Sequence, residues 1–167
     1  MIKKILLAIM IALPMCAMAQ TKIGVINADE VFQAMPETAA AQTQIQNISK
    51  QYEDAFNKLA EEGQKLLAEY KAMENDATIA PAIIEQKIKD IQACEARIQE
   101  FKKTAEQDIQ RQQQQLIAPI QEKLMNAIKA VGQENGFTAI FPQGVAIYTG
   151  TDVIDITPLV KAKLGIQ

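Results

Sequence analysis

Residues 37–75 read ETAAAQTQIQNISKQYEDAFNKLAEEGQKLLAEYKAMEN, with no Pro and a single Gly. Ile45, Tyr52, Leu59, Leu66 and Met73 recur every seven residues. Ile48 and Ala55 follow the first two at +3, and Phe56 and Tyr70 follow Tyr52 and Leu66 at +4. Mixed three-and-four spacing of this kind is a coiled-coil stripe. Asp54→Lys58 and Glu61→Lys65 are acid-to-base pairs at i, i+4, which support an exposed helix. A helix of this length extends roughly 60 Å at 1.5 Å per residue. A chain of 167 residues cannot bury such a rod, so the helix must project.

Working outward, residues 75–82, NDATIAPA, break the stripe, and Pro81 suits the first position of a return helix. The return stripe runs Ile84, Ile88, Ile91, Ile98, Phe101, Ala105, Ile109, Leu116, Ile120, Leu124, Ile128 and Val131. Asn135-Gly136 provides a left-handed stop. Pro119 lies inside this helix and should remove one backbone hydrogen bond, bending it. The two stretches predict an antiparallel hairpin over 37–136, turning near 75–82. The glutamine-rich tract 107–115 stays in phase with the stripe through Ile109 and Leu116, so it reads as a solvated helix face rather than a specific polar contact surface.

The flanks have a different period. Residues 21–27, TKIGVIN, predict a strand, and 29–32 one helical turn. Pro36 with Glu37 fits the opening of the first long helix. After Gly136, residues 137–141 (FTAIF) and 145–148 (VAIY) predict two strands of a hairpin around Pro142-Gln143-Gly144. Thr157 is placed to cap a last short helix over 159–164, with Pro158 at its first position. Asp152 and Asp155 are turn and cap residues in this reading, since no further carboxylates or loop motif accompany them as cation ligands.

Residues 1–20, MIKKILLAIMIALPMCAMAQ, have the order of a secretory signal. Lys3 and Lys4 precede an apolar stretch too short to span a bilayer, and Ala17-Met18-Ala19 gives a cleavage site after Ala19. Loss of Lys3 and Lys4 takes the 17 basic residues to 15 against 20 acidic ones, a net charge of −5. That charge gives no reason to expect nucleic-acid binding. Cys94 is then the sole Cys, a small packing residue or, less simply, one half of an intermolecular bridge.

The composition is 49% hydrophobic but holds only five Phe and three Tyr, with no Trp and no His. The lack of His removes His-based catalysis and His-containing zinc sites. No nucleophile–base pair, metal cluster or phosphate loop is visible, so an enzyme is not expected and no cofactor is implied. Three short strands leave open edges and little core, which oligomerisation would repair. The arms also carry more apolar surface than one seam covers. Met73, Ile79 and Ile83 cluster near the tip, and Phe56, Tyr70 and Phe101 fall beside the stripes. These six are either further core or an exposed lining.

Residues 22–37 (KIGVINADEVFQAMPE), 116–137 (LIAPIQEKLMNAIKAVGQENGF) and 152–165 (DVIDITPLVKAKLG), spaced by a charged helical hairpin, resemble the Skp/OmpH family of periplasmic chaperones. The resemblance implies an α+β fold: a long antiparallel coiled-coil hairpin (37–136) projecting from a small β-rich body (20–36 and 137–167). Three such bodies would join into a jellyfish-shaped homotrimer. It implies a periplasmic holdase that works without ATP and keeps unfolded outer-membrane proteins in a cavity between the arms. By position, Ile23, Val25, Ile140, Val145 and Ile147 become body and trimer-core residues. The best-known member is strongly basic, whereas residues 37–131 here hold 12 basic and 15 acidic residues. Lipopolysaccharide and anionic-membrane binding are therefore not carried over. The competing reading is an envelope structural or adaptor coiled coil that binds one folded partner.

Overall fold

The computed structural model describes residues 21–166. The signal segment and its cleavage site after Ala19 lie outside the described residues. Strand β1 (Ile23–Ile26) leads into helix α1 (Ala28–Ala34). Two long helices follow, α2 (Pro36–Met73, 38 residues) and α3 (Pro81–Glu134, 54 residues). The chain closes with β2 (Ala139–Pro142), β3 (Ile154–Asp155) and α4 (Thr157–Leu164).

The helix ends are set by local chemistry. Asn27 caps α1: its side-chain oxygen accepts from the Glu30 N–H at 3.1 Å, satisfying a donor the first turn leaves free. Pro36 and Pro81 both open their helices, where a missing N–H costs nothing. Gly136 has φ +67° after α3. There the Phe137 N–H reaches the Gly132 carbonyl at 2.9 Å and the Gly136 N–H the Gln133 carbonyl at 3.3 Å, the paired bonds of a Schellman stop. A left-handed residue without a Cβ penalty is what that stop requires.

Polar pairs between the long helices fix their direction. Glu37 pairs with Lys123, Tyr52 with Asp108, Glu62 with Arg97 and Glu69 with Lys87. As one partner advances along the chain the other retreats, so α2 and α3 are antiparallel, as the stripes predict. Helix α3 continues across Pro119 without ending.

The sheet departs from the expected hairpin. Its order is β2-β1-β3 and both pairings are parallel. Ile23 to Ile26 align with Ala139 to Pro142, while Gly24 and Val25 align with Ile154 and Asp155. Parallel neighbours need a crossover connection, usually helical, and here the whole arm forms the crossover between β1 and β2. Residues 145–148 are not a strand. After Pro142 the chain turns at Gly144 (φ +84°) and runs exposed through 150, so among the described residues the outer edge of β2 has no partner strand.

The core lies where this sheet meets the helices. Ile26, Val31, Met35, Ile120, Leu124, Ala127, Val131, Ile156 and Val160 are all buried in one cluster. Ile120, Leu124, Ala127 and Val131 recur at four, three and four, so they form one face of α3 turned to the body. The last third of α3 therefore belongs to the body core, although its sequence stripe continues that of the arm. Full burial of a side chain such as Ile156 or Val160 contributes about 1.5–3 kcal/mol.

The cap of α4 also differs from expectation. The Asp155 carboxylate, not the Thr157 hydroxyl, accepts the Thr157 N–H at 2.9 Å. The Thr157 hydroxyl is buried and accepts the Asn27 N–H at 2.9 Å, tying the end of β1 to the start of α4. An acceptor is needed there because Asn27 is the first residue past the strand and its N–H has left the sheet ladder.

Candidate functional site

The arm is built from one seam and two unlike flanks. Along the seam Leu59, Gly63, Leu66, Tyr70 and Met73 of α2 are half-buried. They face Ile91, Cys94, Ile98 and Phe101 of α3, of which Cys94 is buried. The Gly63 position lies 3.5 Å (as a built Cβ) from Cys94 Sγ and from Ile98 Cδ1, so the only Gly of α2 sits under the buried Cys94 thiol. Cys94 is a packing residue in a close helix crossing, and it is free.

Successive residues turn by about 100°, so residues just after and just before a seam position fall on opposite flanks. Glu62 and Glu69 of α2, with Arg97 and Lys87 of α3, occupy one flank and pair at 2.8 Å each. Lys87 holds the Glu69 carboxyl below its ordinary range by direct hydrogen bonding, and Glu69 in turn raises the Lys87 ammonium. Lys123 lowers Glu37 in the same way at the arm base. The other flank carries Phe56, Ala60 and Leu67 from α2 and Ile84, Ile88 and Lys102 from α3. Leu67 and Ile88 are 42% and 38% exposed on it, high for large aliphatic side chains. One face of the hairpin is thus knitted by charge pairs and the other presents apolar side chains.

The six arm residues singled out by sequence separate into two groups. Phe56 and Phe101 line one groove of about 390 Å³, together with Tyr52. Tyr52 and Phe101 meet at 6.0 Å between ring centroids with a 58° tilt, a favourable aromatic geometry. The Tyr52 hydroxyl donates to Asp108 at 2.7 Å, and the Lys102 ammonium lies 5.0 Å from the centre of the Phe56 ring. The other group surrounds the tip. Met73 ends α2, Ile79 is half-buried in the turn, and Ile83 is 53% exposed at the start of α3. The turn is held by Asp76, whose carboxylate accepts from both the N–H and the hydroxyl of Thr78 and lies below its ordinary range for that reason. Tyr70 donates to Glu74, and that carboxylate raises the Tyr70 phenol.

In the body, Ile23, Val25 and Ile140 are half-buried in the sheet. Val145 (66% exposed) and Ile147 (fully exposed) lie beyond it, with Tyr148 beside them. Sequence reasoning missed Leu67, Ile88 and Tyr148 as exposed apolar residues. Leu67 sits one step after the repeat position at Leu66, so counting the repeat passes over it, whereas Ile88 reads as part of the return stripe yet is 38% exposed. Among the described residues no group of three or more His, Cys, Asp or Glu is placed to hold a metal ion. No helix among them is long and apolar enough to cross a membrane.

A small parallel sheet whose crossover is a long helical hairpin, with one flank of that hairpin left apolar, defines the architectural class. The family model described as "Outer membrane protein (OmpH-like)" matches residues 22–164, and the chain belongs to the OmpH-like family. Among solved structures, the fold is similar to that of a candidate outer membrane chaperone (OmpH-like) from Caulobacter crescentus CB15. The TM-score is 0.74 at 16% identity, over 86% of this chain and 83% of that one. No curated protein matches the sequence.

Proposed function

We propose that the chain is an ATP-independent holdase chaperone of the periplasm, exported by a signal cleaved after Ala19. Three copies join through their bodies, with Ile23, Val25, Ile140, Val145 and Ile147 in or around the shared core. Their arms enclose a cavity for unfolded outer-membrane β-barrel proteins before membrane assembly. Membership of the OmpH-like family and the likeness to an outer-membrane chaperone support the reading.

The observation that carries it is the uncovered apolar flank of the arm. Leu67, Ile83 and Ile88 are exposed on a rod that projects beyond any core able to cover them. A holdase needs diffuse apolar contacts of this kind, because it must accept many sequences and release them without a chemical step. Several weak contacts in one enclosed volume then act together. Phe56, Tyr70, Met73, Ile79, Ile83 and Phe101 supply such contacts along both halves of the arm. The acidic balance of the arm argues against lipopolysaccharide or anionic membrane as the ligand.

The test is aggregation suppression of several unfolded β-barrel proteins at one trimer per client, with particle mass followed by light scattering. Suppression across unrelated clients is expected. Failure with all of them, while one folded envelope protein is captured, would replace the chaperone by an adaptor.

A further inference from the structure

The aromatic groove in the middle of the arm has a rim whose charges are unbalanced. Tyr52, Phe56 and Phe101 form its walls, and Glu53, Glu106 and Lys102 stand at its edge. Among the described residues neither Glu53 nor Glu106 is in an ion pair, although Lys102 is their neighbour on the rim. The Lys102 ammonium instead lies over the Phe56 ring, 5.0 Å from its centre. That distance is within the reach at which the negative face of an aromatic ring attracts a cation. The groove thus has an apolar wall, a ring face already holding a cation, and two carboxylates with no cation of their own. The opposite flank lacks this imbalance, because its carboxylates at 62 and 69 are paired across the helices.

From this charge complementarity we infer that the groove takes an extended, apolar polypeptide segment bearing an arginine or lysine. The cationic side chain displaces Lys102 from the Phe56 ring and is flanked by Glu53 and Glu106. Its apolar neighbours lie along Phe101 and on toward Ile88 and Leu67. Lys102 is then an internal stand-in that covers the ring until a client arrives. The inference rests on the chaperone reading and deepens it by giving the client segment a charge: this acidic arm selects basic apolar stretches.

The chain contains no Trp, so a Trp-tagged peptide can be excited selectively against the whole protein. The probes are three short unstructured peptides, identical except for arginine, glutamine or glutamate at the central position among apolar residues. At low salt the arginine peptide is expected to bind about three- to ten-fold more tightly than the glutamine peptide, with the glutamate peptide weakest. Glu53→Gln with Glu106→Gln removes the preference, so that the arginine and glutamine peptides bind the variant equally. Phe56→Leu keeps the apolar wall but weakens the preference, and Lys102→Ala raises arginine-peptide affinity by removing the resident competitor. Equal affinities, a preference that survives the double Glu variant, or no peptide binding would each overturn the inference. So would a loss of oligomer mass in the double Glu variant without peptide binding, because the groove's occupant would then be a second copy. Aggregation suppression is measured on the same samples. Suppression without the charge preference sinks this inference alone, whereas absent suppression sinks the chaperone reading.

Discussion

The body and the arm of this chain hold their shapes by different physics. In the body, Val31 of α1, Met35 at the α1–α2 junction, Ile156 at the β3–α4 junction and Val160 of α4 are at most 1% exposed. In the arm beyond its base, Cys94 and Ala105 are the buried apolar residues, and every other seam position is shared with solvent. The body therefore depends on a few contacts that cannot be diluted. The arm depends on many half-buried contacts and a ladder of charge pairs, none of which dominates. A region of the second kind can expose apolar surface and stay folded, because its stability does not reside in any single side chain.

The contrast can be broken most severely in the body. Ile156→Ala should cost about 2–5 kcal/mol and lower the urea midpoint of the whole chain, since the site is fully enclosed and cannot collapse easily. Next comes Gly24→Val. A Cβ at Gly24 would already lie 3.1 Å from Ile156 Cγ2 and 3.2 Å from the Phe137 ring. The larger side chain should cost about 1–3 kcal/mol by overpacking, again read from denaturation.

In the arm the effects should be smaller and local. Phe101→Ala removes a half-buried ring and its contact with Tyr52, for about 1–2 kcal/mol. Hydrogen exchange should then quicken in α2 and α3 near that level while β1 and α1 keep their protection. An equal loss in the body would show that the two regions are one cooperative unit.

Acid should separate them further. The Glu37 and Glu69 carboxyls are lowered from the ordinary 4.5 by hydrogen bonds from Lys123 and Lys87. Their contribution is complete above about pH 4.5 and is lost as pH falls through the lowered values. Helical signal should therefore melt at lower temperature below that pH, and Glu37→Gln with Glu69→Gln should flatten the dependence. The smallest effect belongs to Glu62→Gln, whose pair with Arg97 is about half exposed on both sides. Its urea midpoint should not differ measurably from that of the wild type.

Assembly gives a last way to sharpen the comparison. Ile147 makes no contribution to the core of a single chain, being fully exposed. Ile147→Asp should leave the helical content intact yet reduce the particle mass by light scattering to that of one chain. An unchanged mass would remove 145–148 from the proposed subunit contact.

The helices were legible because their signals are local. The repeat of Ile45, Tyr52, Leu59, Leu66 and Met73, the break at 75–82 and the stop at Gly136 each depend on residues within one or two turns. The strands were less so. VAIY at 145–148 has better strand character than Ile154-Asp155, yet Ile154-Asp155 pairs with β1. Strand propensity measures fit to a pleated surface, and the surface must first exist. The site was half legible for the same reason. Phe56 and Phe101 were visible as large residues beside the stripes, but their meeting around Tyr52, with Lys102 above, requires both helices in register. Leu67 was hidden, and Ile88 was read as stripe, because flanks of a helix acquire meaning only when the seam between two helices is fixed.

The sequence by itself determined the long paired helices, their turn, their caps and the acidic balance, since helix formation and charge are properties of neighbours along the chain. Only the tertiary structure decided that the sheet is parallel, that the end of α3 belongs to the body, and that charge pairs and apolar residues divide the arm into two faces. Those outcomes join residues as far apart as Val25 and Asp155 or Glu37 and Lys123. Contacts at such separation are chosen by which buried surfaces fit once the arm has folded back, and no local pattern records that choice.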